Sequence, residues 1–258
     1  MSAPGRLAIG PAWQNVLLPL ALVFALLLLW EAAIRLFHVP VFVLPPPSAI
    51  GAVLAGQQAD LLGAAWITAQ EVLLGFALSA VVGSALALAM VRFMWLGRAL
   101  YPLVVLFQTV PKVALAPLFI LWFGYGLAPK IALIVVIAFF PVALDMLVGL
   151  RAADPGLVSL LRSVGAGRTA ILWRIQIPTA LPALFSGLKI AITLSVIGAV
   201  VGEFAGASSG LGYMIQFAST QLETPLVFAA LLEVSVLGVV FYYAIEMIER
   251  LLVPWATP

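Results

Sequence analysis

Three arginines lie close together in a sequence that is otherwise poor in charge. Arg162, Arg168 and Arg174 fall within the stretch LLRSVGAGRTAILWRIQIPTALP, which runs from Leu160 to Pro182. Guanidinium groups form paired hydrogen bonds with carboxylates and phosphates, so we expect Arg168 and Arg174 to face solvent or a phosphate-rich surface. The segment GAGRTA faintly resembles a phosphate loop, but it lacks the G-x-x-x-x-G-K-S/T pattern. Any energy from ATP must therefore come from another chain.

Four further polar residues interrupt long apolar stretches. They are Gln108, Lys112, Asp145 and Glu203. A charged side chain at the centre of a membrane costs about 3 kcal/mol even on lenient insertion scales, and such residues commonly mark a solute pathway. Lys112 stands between two prolines, which kink a helix, and it shares a helix face with the glutamine four positions earlier. We therefore predict that these four residues line a translocation pathway for a polar or anionic solute.

Each of the three charged candidates also has a structural interpretation. Lys112 can pair with a nearby carboxylate and hold two helices together. Glu203 can brace the glycine-rich loop that follows it through backbone amides. Asp145 can cap helix ends instead of gating the inner mouth of the pathway. The sequence leaves these alternatives open.

A serine-hydrolase pattern is also present. Gly206, Ser208 and Gly210 fit G-x-S-x-G, which marks a nucleophile when it sits on a sharp strand-to-helix turn. Such a serine needs a base within hydrogen-bond reach. The single histidine, His38, lies at the outer end of the first predicted helix, and Lys189 lies about 15 Å too deep in its own helix. An intramembrane hydrolase is therefore a minor alternative, and we expect no catalytic residue, metal or cofactor.

The elements that position these residues are membrane spans. Hydrophobic residues make up 65% of the 258 and charged residues only 9%, whereas a soluble domain has about 25% charged residues. Cysteine is absent, which excludes disulfides and thiolate metal sites. Six apolar runs are long enough to cross a bilayer, which takes about 20 residues. They are Val16–Phe37, Leu61–Val91, Ala99–Phe123, Lys130–Leu150, Leu181–Phe204 and Leu226–Val253.

The distribution of basic residues predicts the orientation of these spans. With the N-terminus in the cytoplasm, eight arginines fall on the inner side and only Arg35 and Lys130 fall near the outer side. The eight are Arg6, Arg92, Arg98, Arg151, Arg162, Arg168, Arg174 and Arg250. Both termini are thus expected inside, with a cytoplasmic tail at residues 1–15. The uninterrupted apolar core of the first run, Val16–Trp30, is short enough for a signal-peptide core. No small-residue cleavage site follows it, so we predict a retained helix.

Small residues predict close helix packing in the second span. Gly75, Ser79 and Gly83 recur every four positions and form a small-xxx-small ridge. The pattern does not indicate whether this ridge meets another span of the same chain or a second copy.

The basic stretch belongs to a loop at residues 151–178, which we call the coupling loop. Asp154 followed by Pro155 is a typical helix start, and the next residues place leucines and a valine on one helical stripe. Gly165 and Gly167 break this helix, and a second short helix is expected to end at Pro178. The loop is either a rigid protrusion that fits a groove on another protein or an ordinary folded loop with an interfacial helix.

At this loop the sequence resembles permeases of the ATP-binding-cassette importers, which carry Glu-Ala-Ala, three residues, Gly, nine residues and Ile-x-Leu-Pro. Gly165 and the segment Ile175–Pro178 match that spacing, with Ile177 in place of leucine, while Ser159, Leu160 and Leu161 replace the Glu-Ala-Ala element. The stretches LPPPSAI, QTVPKVALAPLFILWFGYG, FFPVALDMLVGLR, ALPALFSGLKIA and GEFAGASSGLGY are similar to the nitrate, sulfonate and taurine subgroup. The resemblance covers nearly the whole chain from about residue 40.

The resemblance implies an all-helical type I importer fold of the MetI-like kind, built as one permease domain over residues 1–258. It implies a homodimer in the bacterial inner membrane, two cytoplasmic ATPase subunits and an extracytoplasmic solute-binding protein. The residues then expected to couple to the ATPase are Ser159, Arg162, Ser163, Gly165, Ala166, Gly167, Arg168, Ile175, Ile177 and Pro178.

The solute implied is a sulfonate, nitrate, or an aromatic or pyrimidine vitamin precursor, with GAVVGEFAGASSGLGY favouring the importers of heterocycles. The net charge of +2 gives no indication of nucleic-acid binding. The main alternative is a secondary transporter driven by an ion gradient, which would show internal symmetry between its halves. The sequence shows no convincing repeat.

Overall fold

The computed structural model describes residues 14–255, and every regular element in that range is helical. Residues 1–13 of the predicted tail, with Arg6, lie outside the described residues. The α-helices are α1 (Gln14–Leu36), α2 (Pro47–Gly56), α3 (Gln58–Arg92), α4 (Met94–Gln108), α5 (Ala116–Phe123), α6 (Leu127–Arg151), α7 (Pro155–Ser163), α8 (Arg168–Ile171), α9 (Ile177–Gly206), α10 (Leu211–Thr220) and α11 (Thr224–Leu252). A 3-10 turn at Lys112–Leu115 and a π turn at Leu172–Gln176 complete the set.

Five of the six predicted spans are continuous helices. Within residues 14–255, α1, α3, α6, α11 and the run from α8 through α9 are long and apolar enough to cross a membrane. The third predicted span, Ala99–Phe123, is instead broken into α4, the 3-10 turn and α5. The break falls at Thr109–Pro111, because proline has no N–H to donate and its ring disfavours helical backbone in the residue before it.

The fold is organised around α6, which packs between α3 and α9. Half of the apolar window of α6 is buried within the chain, against 6% of α1 and 11% of α11. The helices α1 and α11 therefore lie at the periphery of the chain, where lipid or another protein must cover their apolar side chains. The C-terminal ends of α3 and α6 meet the start of α9 at one end of the bundle, which we call the arginine-rich end.

The small-residue ridge of α3 packs inside the chain. A Cβ on Gly75 would lie 2.5 Å from Ile134 Cγ2, and one on Gly83 would lie 2.6 Å from the carbonyl oxygen of Phe139. Ser79 between them is fully buried. The ridge therefore permits a close approach of α3 to α6, which settles the question that the sequence left open.

The end of the bundle opposite the arginines is closed by two short helices. α10 lies against α9 and α11, and α2 lies against α11. Their apolar residues Ile50 and Leu211 join Leu61 and Ala229 in one buried cluster. The segment between the fifth and sixth predicted spans thus contains a packed helix, α10.

Candidate functional site

The first arm of the coupling loop is a well-capped helix. Asp154 Oδ1 accepts a hydrogen bond from the N–H of Gly156 at 2.7 Å, and Pro155 occupies the first turn of α7. At the other end Gly165 adopts φ +84°. The N–H of Ala166 donates to Leu161 O at 2.9 Å and that of Gly165 donates to Arg162 O at 3.0 Å, a Schellman closure. The predicted glycine bend is confirmed.

The second arm of the loop continues directly into a membrane span. Helix α8, the π turn and α9 form one helical run of 39 residues, Arg168–Gly206, which is about 58 Å long. The prediction that Pro178 ends the second short helix is wrong. Pro178 lies in the first turn of α9, where the widened π turn accommodates a residue that has no N–H. Any displacement of α8 is therefore applied to the span itself.

The coupling loop is also anchored to α6. The Gln176 side chain donates a hydrogen bond to Leu150 O at 3.4 Å, and Ile171 is buried. These contacts fix the base of the loop against two spans, while its tip extends away from them.

Helix α7 presents an unpartnered apolar stripe. Leu157, Leu160 and Val164 are 50%, 61% and 73% exposed, although they lie one helical turn apart on the same face. Val158 and Arg162 are on another face, which turns toward the end of α3. An apolar stripe that the chain leaves uncovered at a rigid protrusion is typical of a surface that another protein covers.

The predicted coupling residues share this loop, but they differ in burial. The exposed ones are Ser159, Arg162, Ser163, Gly165, Gly167 and Arg168. The half-buried ones are Ala166, Ile175, Ile177 and Pro178. Ser163 Oγ donates to Leu160 O at 2.8 Å and so stabilises the end of α7. Except for Ala166, which lies in the glycine bend, the half-buried residues lie at the base of the loop.

Gln108 and Lys112 meet at the break in the third predicted span. Lys112 Nζ donates a hydrogen bond to Gln108 Oε1, and Lys112 is half-buried. One turn beyond Lys112, Ala116 belongs to the same buried cluster as Leu133 and Ile137 of α6. The break therefore lies beside the first half of α6. Lys112 bonds to an amide there, and the structure shows no carboxylate paired with it among the described residues.

Asp145 lies in the half of α6 nearer the arginine-rich end. It is half-buried and lies beside Ser186 of α9. A Cβ on the neighbouring Gly187 would lie 3.1 Å from Asp145 Cβ. Asp145 thus lies at the contact between α6 and α9, where it neither caps a helix end nor pairs with a cation.

Glu203 lies in the last turn of α9, where it joins this helix to α3 and α10. The Thr68 hydroxyl donates to Glu203 Oε1 at 2.7 Å, and the N–H of Gly212 donates to Oε2. The N–H of Leu211 in turn donates to Thr68 Oγ1 at 2.9 Å. Glu203 is 0% exposed, so in this structure it braces the start of α10 through backbone amides.

A second buried pair lies beside Glu203. Lys130 Nζ lies 2.5 Å from Glu71 Oε1, and both side chains are less than one-tenth exposed. Together with Thr68 and Glu203, these two residues form what we call the buried charge cluster, which joins α3, α6, α9 and α10.

Sequence reasoning found Glu203 but not the partners that fix its role. Thr68 is one of three hydroxyl residues in the apolar helix α3, and Glu71 and Lys130 are 59 positions apart. Lys189 likewise pairs with Glu249 at 2.6 Å. No local spacing indicates these pairs, although buried charges as a class are expected to be paired.

The serine-hydrolase pattern does not form a nucleophile elbow. Gly206–Gly210 connects α9 to α10, so the strand that precedes such an elbow is replaced by a helix. Ser208 is exposed in that connection.

Comparison with known proteins identifies the family. Residues 79–254 match the model of the binding-protein-dependent transport system inner membrane component. The formylaminopyrimidine transport permease protein ThiX of Halalkalibacterium halodurans is 38% identical over 235 residues, covering 89% of this chain and 92% of the relative. The riboflavin transport system permease protein RibX of Chloroflexus aurantiacus is 36% identical over 249 residues, covering 94% and 91%.

Solved structures show the same fold. An amino acid ABC transporter crystallised with histidines has a TM-score of 0.58 at 20% identity, covering 77% of this chain and 97% of that one. The methionine ABC transporter MetNI in an inward-facing conformation has a TM-score of 0.55 at 23% identity, covering 74% and 98%. These likenesses confirm the predicted all-helical, MetI-like permease fold.

Proposed function

The chain belongs to the family of binding-protein-dependent transport system inner membrane components, and we propose that two copies of it form the membrane pathway of an ATP-driven importer. In this proposal each copy docks one cytoplasmic ATPase subunit at its coupling loop, and a solute-binding protein docks at the opposite end. The arginine-rich end is then cytoplasmic, in accordance with the positive-inside bias of the sequence.

The observation that carries the proposal is the exposed apolar stripe of α7. Leu157, Leu160 and Val164 project from a loop that is stiffened by an N-cap and a Schellman closure. A flexible loop would absorb the movement of a docked subunit. A capped helix joined to a 39-residue helical run transfers that movement to the span as a rigid body.

The break in the third predicted span supplies the polar part of the pathway. We place Gln108 and Lys112 near mid-membrane, where the helix is interrupted. In membrane proteins such an interruption is tolerated only where the backbone is buried in protein or lines a water-filled cavity. Their partial exposure within one chain leaves them available to a pathway between two copies. Asp145 at the contact of α6 and α9 is the corresponding candidate nearer the cytoplasm.

The relatives favour a small nitrogen heterocycle as the solute. Two of them are named for formylaminopyrimidine and riboflavin transport. We propose that this chain carries a solute of the same class, with much of the selectivity residing in the binding protein. The proline-rich segment before α2 and the start of α10, braced by Glu203, would receive that protein.

The test is uptake into sealed vesicles that contain this chain, its ATPase and its binding protein. In Gly165→Val the valine must adopt φ +84°, so the bend is distorted and uptake per ATP hydrolysed is expected to fall at least tenfold. Gly124→Val is the matched control, because Gly124 also has positive φ with open space around it but lies at the other end of the bundle. Uptake that survives an uncoupler supports ATP drive. Equal uptake by Gly165→Val and wild type would contradict the role of the loop.

A further inference from the structure

A cavity of about 180 Å³ lies between the coupling loop and the end of α3. Three arginines line it, Arg92 on α3, Arg162 on α7 and Arg168 on α8. Gln176 lines it as well, together with the apolar Ile171 and Leu172. Three separate helices thus contribute one arginine each to a single concave site.

None of the three arginines has an ion-pair partner among residues 14–255. The residues that line the cavity include no carboxylate. Arg92 makes a further contact with the ring of Phe93, whose centroid lies 5.3 Å from its Cζ atom, so its position is supported by an aromatic face. Three like charges gathered in one cavity repel one another, and an anion bound between them removes that repulsion.

A neighbouring cavity extends the same electrostatic character. It is lined by Arg98 and Arg151 and shares Val91 with the first. These two arginines also lack ion-pair partners in the described range. The arginine-rich end therefore presents a continuous cationic surface beside the membrane spans.

The cavity lies at the depth of a membrane surface. Arg92 is the last residue of the span α3, and Leu172 is followed within five residues by the span α9. The apolar stripe of α7 is on a different face of that helix, since Val158 and Arg162 line the cavity while Leu157 and Leu160 face away from it. A protein docked on the stripe therefore leaves the cavity to a ligand that comes from the membrane.

We propose that this cavity binds the phosphate of an anionic phospholipid headgroup. Arginine binds phosphate oxygens through paired, charge-assisted hydrogen bonds, and basic pockets between spans on the cytoplasmic side are suited to anionic headgroups. A volume of about 180 Å³ is smaller than the roughly 300 Å³ of a pocket that encloses a drug-sized ligand. It fits a headgroup phosphate, with the apolar Ile171 and Leu172 of its lining available to the first carbons of the lipid.

The bound lipid would connect α3 to both arms of the coupling loop. Arg92 belongs to the bundle, whereas Arg162 and Arg168 belong to the two sides of the glycine bend. One phosphate held by all three fixes the angle of the loop relative to the membrane. This assigns Arg162 and Arg168 to lipid, and it leaves the apolar stripe to the protein partner.

The experiment is native mass spectrometry of the full chain in detergent with added phosphatidylglycerol or phosphatidylcholine. Wild type is expected to retain phosphatidylglycerol at least tenfold more than phosphatidylcholine. The triple variant Arg92→Gln, Arg162→Gln, Arg168→Gln is expected to lose this preference. Arg174→Gln is the matched control, because Arg174 is an exposed arginine of the same loop that does not line the cavity, and it should retain phosphatidylglycerol like wild type.

A single variant and two competition measurements complete the test. If the triple variant does not fold, Arg92→Gln alone removes a charge outside the coupling loop and is expected to reduce retention severalfold. Displacement of the lipid by millimolar inorganic phosphate would overturn the proposal in favour of a free anion site. Displacement by the docked ATPase subunit would overturn it in favour of a protein contact, and equal retention by wild type and the triple variant would overturn it outright.

Discussion

The two ends of the molecule use charge in opposite ways. At the end with α10, the buried charge cluster of Thr68, Glu71, Lys130 and Glu203 is closed to solvent, and its members bond to one another or to backbone amides. At the arginine-rich end, the coupling loop holds arginines without ion-pair partners in residues 14–255 and an apolar stripe without a cover.

This difference separates residues that hold the fold from residues that await a partner. A buried ion requires a partner, because its desolvation is otherwise uncompensated, so a cluster whose charged groups are each paired or hydrogen-bonded within the chain is explained by the chain itself. The exposed arginines and the apolar stripe have no such partners within the described chain, so the chain itself does not explain them. The comparison predicts that substitutions at the buried charge cluster reduce stability, whereas substitutions at the coupling loop reduce binding.

The largest effect is expected from removal of one member of the buried ion pair. Lys130→Met leaves Glu71 charged and unpaired in the protein interior, which costs about 3–5 kcal/mol of unfolding free energy. Unfolding in detergent, followed by circular dichroism as denaturant is added, measures it. The double variant Lys130→Met, Glu71→Gln should recover most of the loss, and failure to recover would show that the pair is not the source.

A smaller loss of stability is expected at Thr68. Thr68→Val keeps the shape of the side chain but removes the hydroxyl that joins Glu203 to the N–H of Leu211, at a cost of about 1–3 kcal/mol. Faster amide hydrogen exchange at the start of α10 would locate the effect. Thr193→Val is the control, since that hydroxyl bonds only to carbonyls of its own helix. Equal effects of the two substitutions would contradict a role for the cluster in bracing α10.

The smallest effect on stability is expected at the coupling loop. Leu160→Gln changes an exposed side chain, so the unfolding free energy should shift by less than about 0.5 kcal/mol. Binding of the ATPase subunit to the permease in detergent should nevertheless weaken about tenfold, because an anchor of the apolar stripe is lost. Thr169→Gln, an exposed position on the second arm, should bind like wild type. Unchanged binding by Leu160→Gln would remove the distinction between the two ends.

The start and end of the first helix in the coupling loop could be predicted, because they depend on residue types that are close together in the sequence. Asp154, Pro155 and Gly165 determine a helix start and a helix end within a few residues, and the structure has both there. The effect of Pro178 could not be predicted in the same way. Whether a proline ends a helix depends on the hydrogen bonds of the preceding turn, and here a π turn allows the helix to continue.

The intramembrane charges show where sequence reasoning stops. Their cost in lipid identifies Lys112, Asp145 and Glu203 as important, but it does not distinguish a pathway from a structural role. Glu203 bonds to Thr68, 135 positions away, whereas Lys112 bonds to Gln108 on its own segment and stays half-buried. Only the packing of distant helices separates these two cases.

The sequence by itself determined that the chain spans a membrane, where its apolar runs lie, and that a capped, glycine-bent loop interrupts them. Those features follow from the free energy of transferring side chains to lipid and from backbone conformational preferences. Both depend only on residues that are near one another in the sequence. The tertiary structure decided that the ridge of α3 faces α6, that Glu203 is saturated and that three arginines share one cavity. Each of these depends on residues far apart in sequence, because burial and ion pairing are determined by what the fold brings into contact.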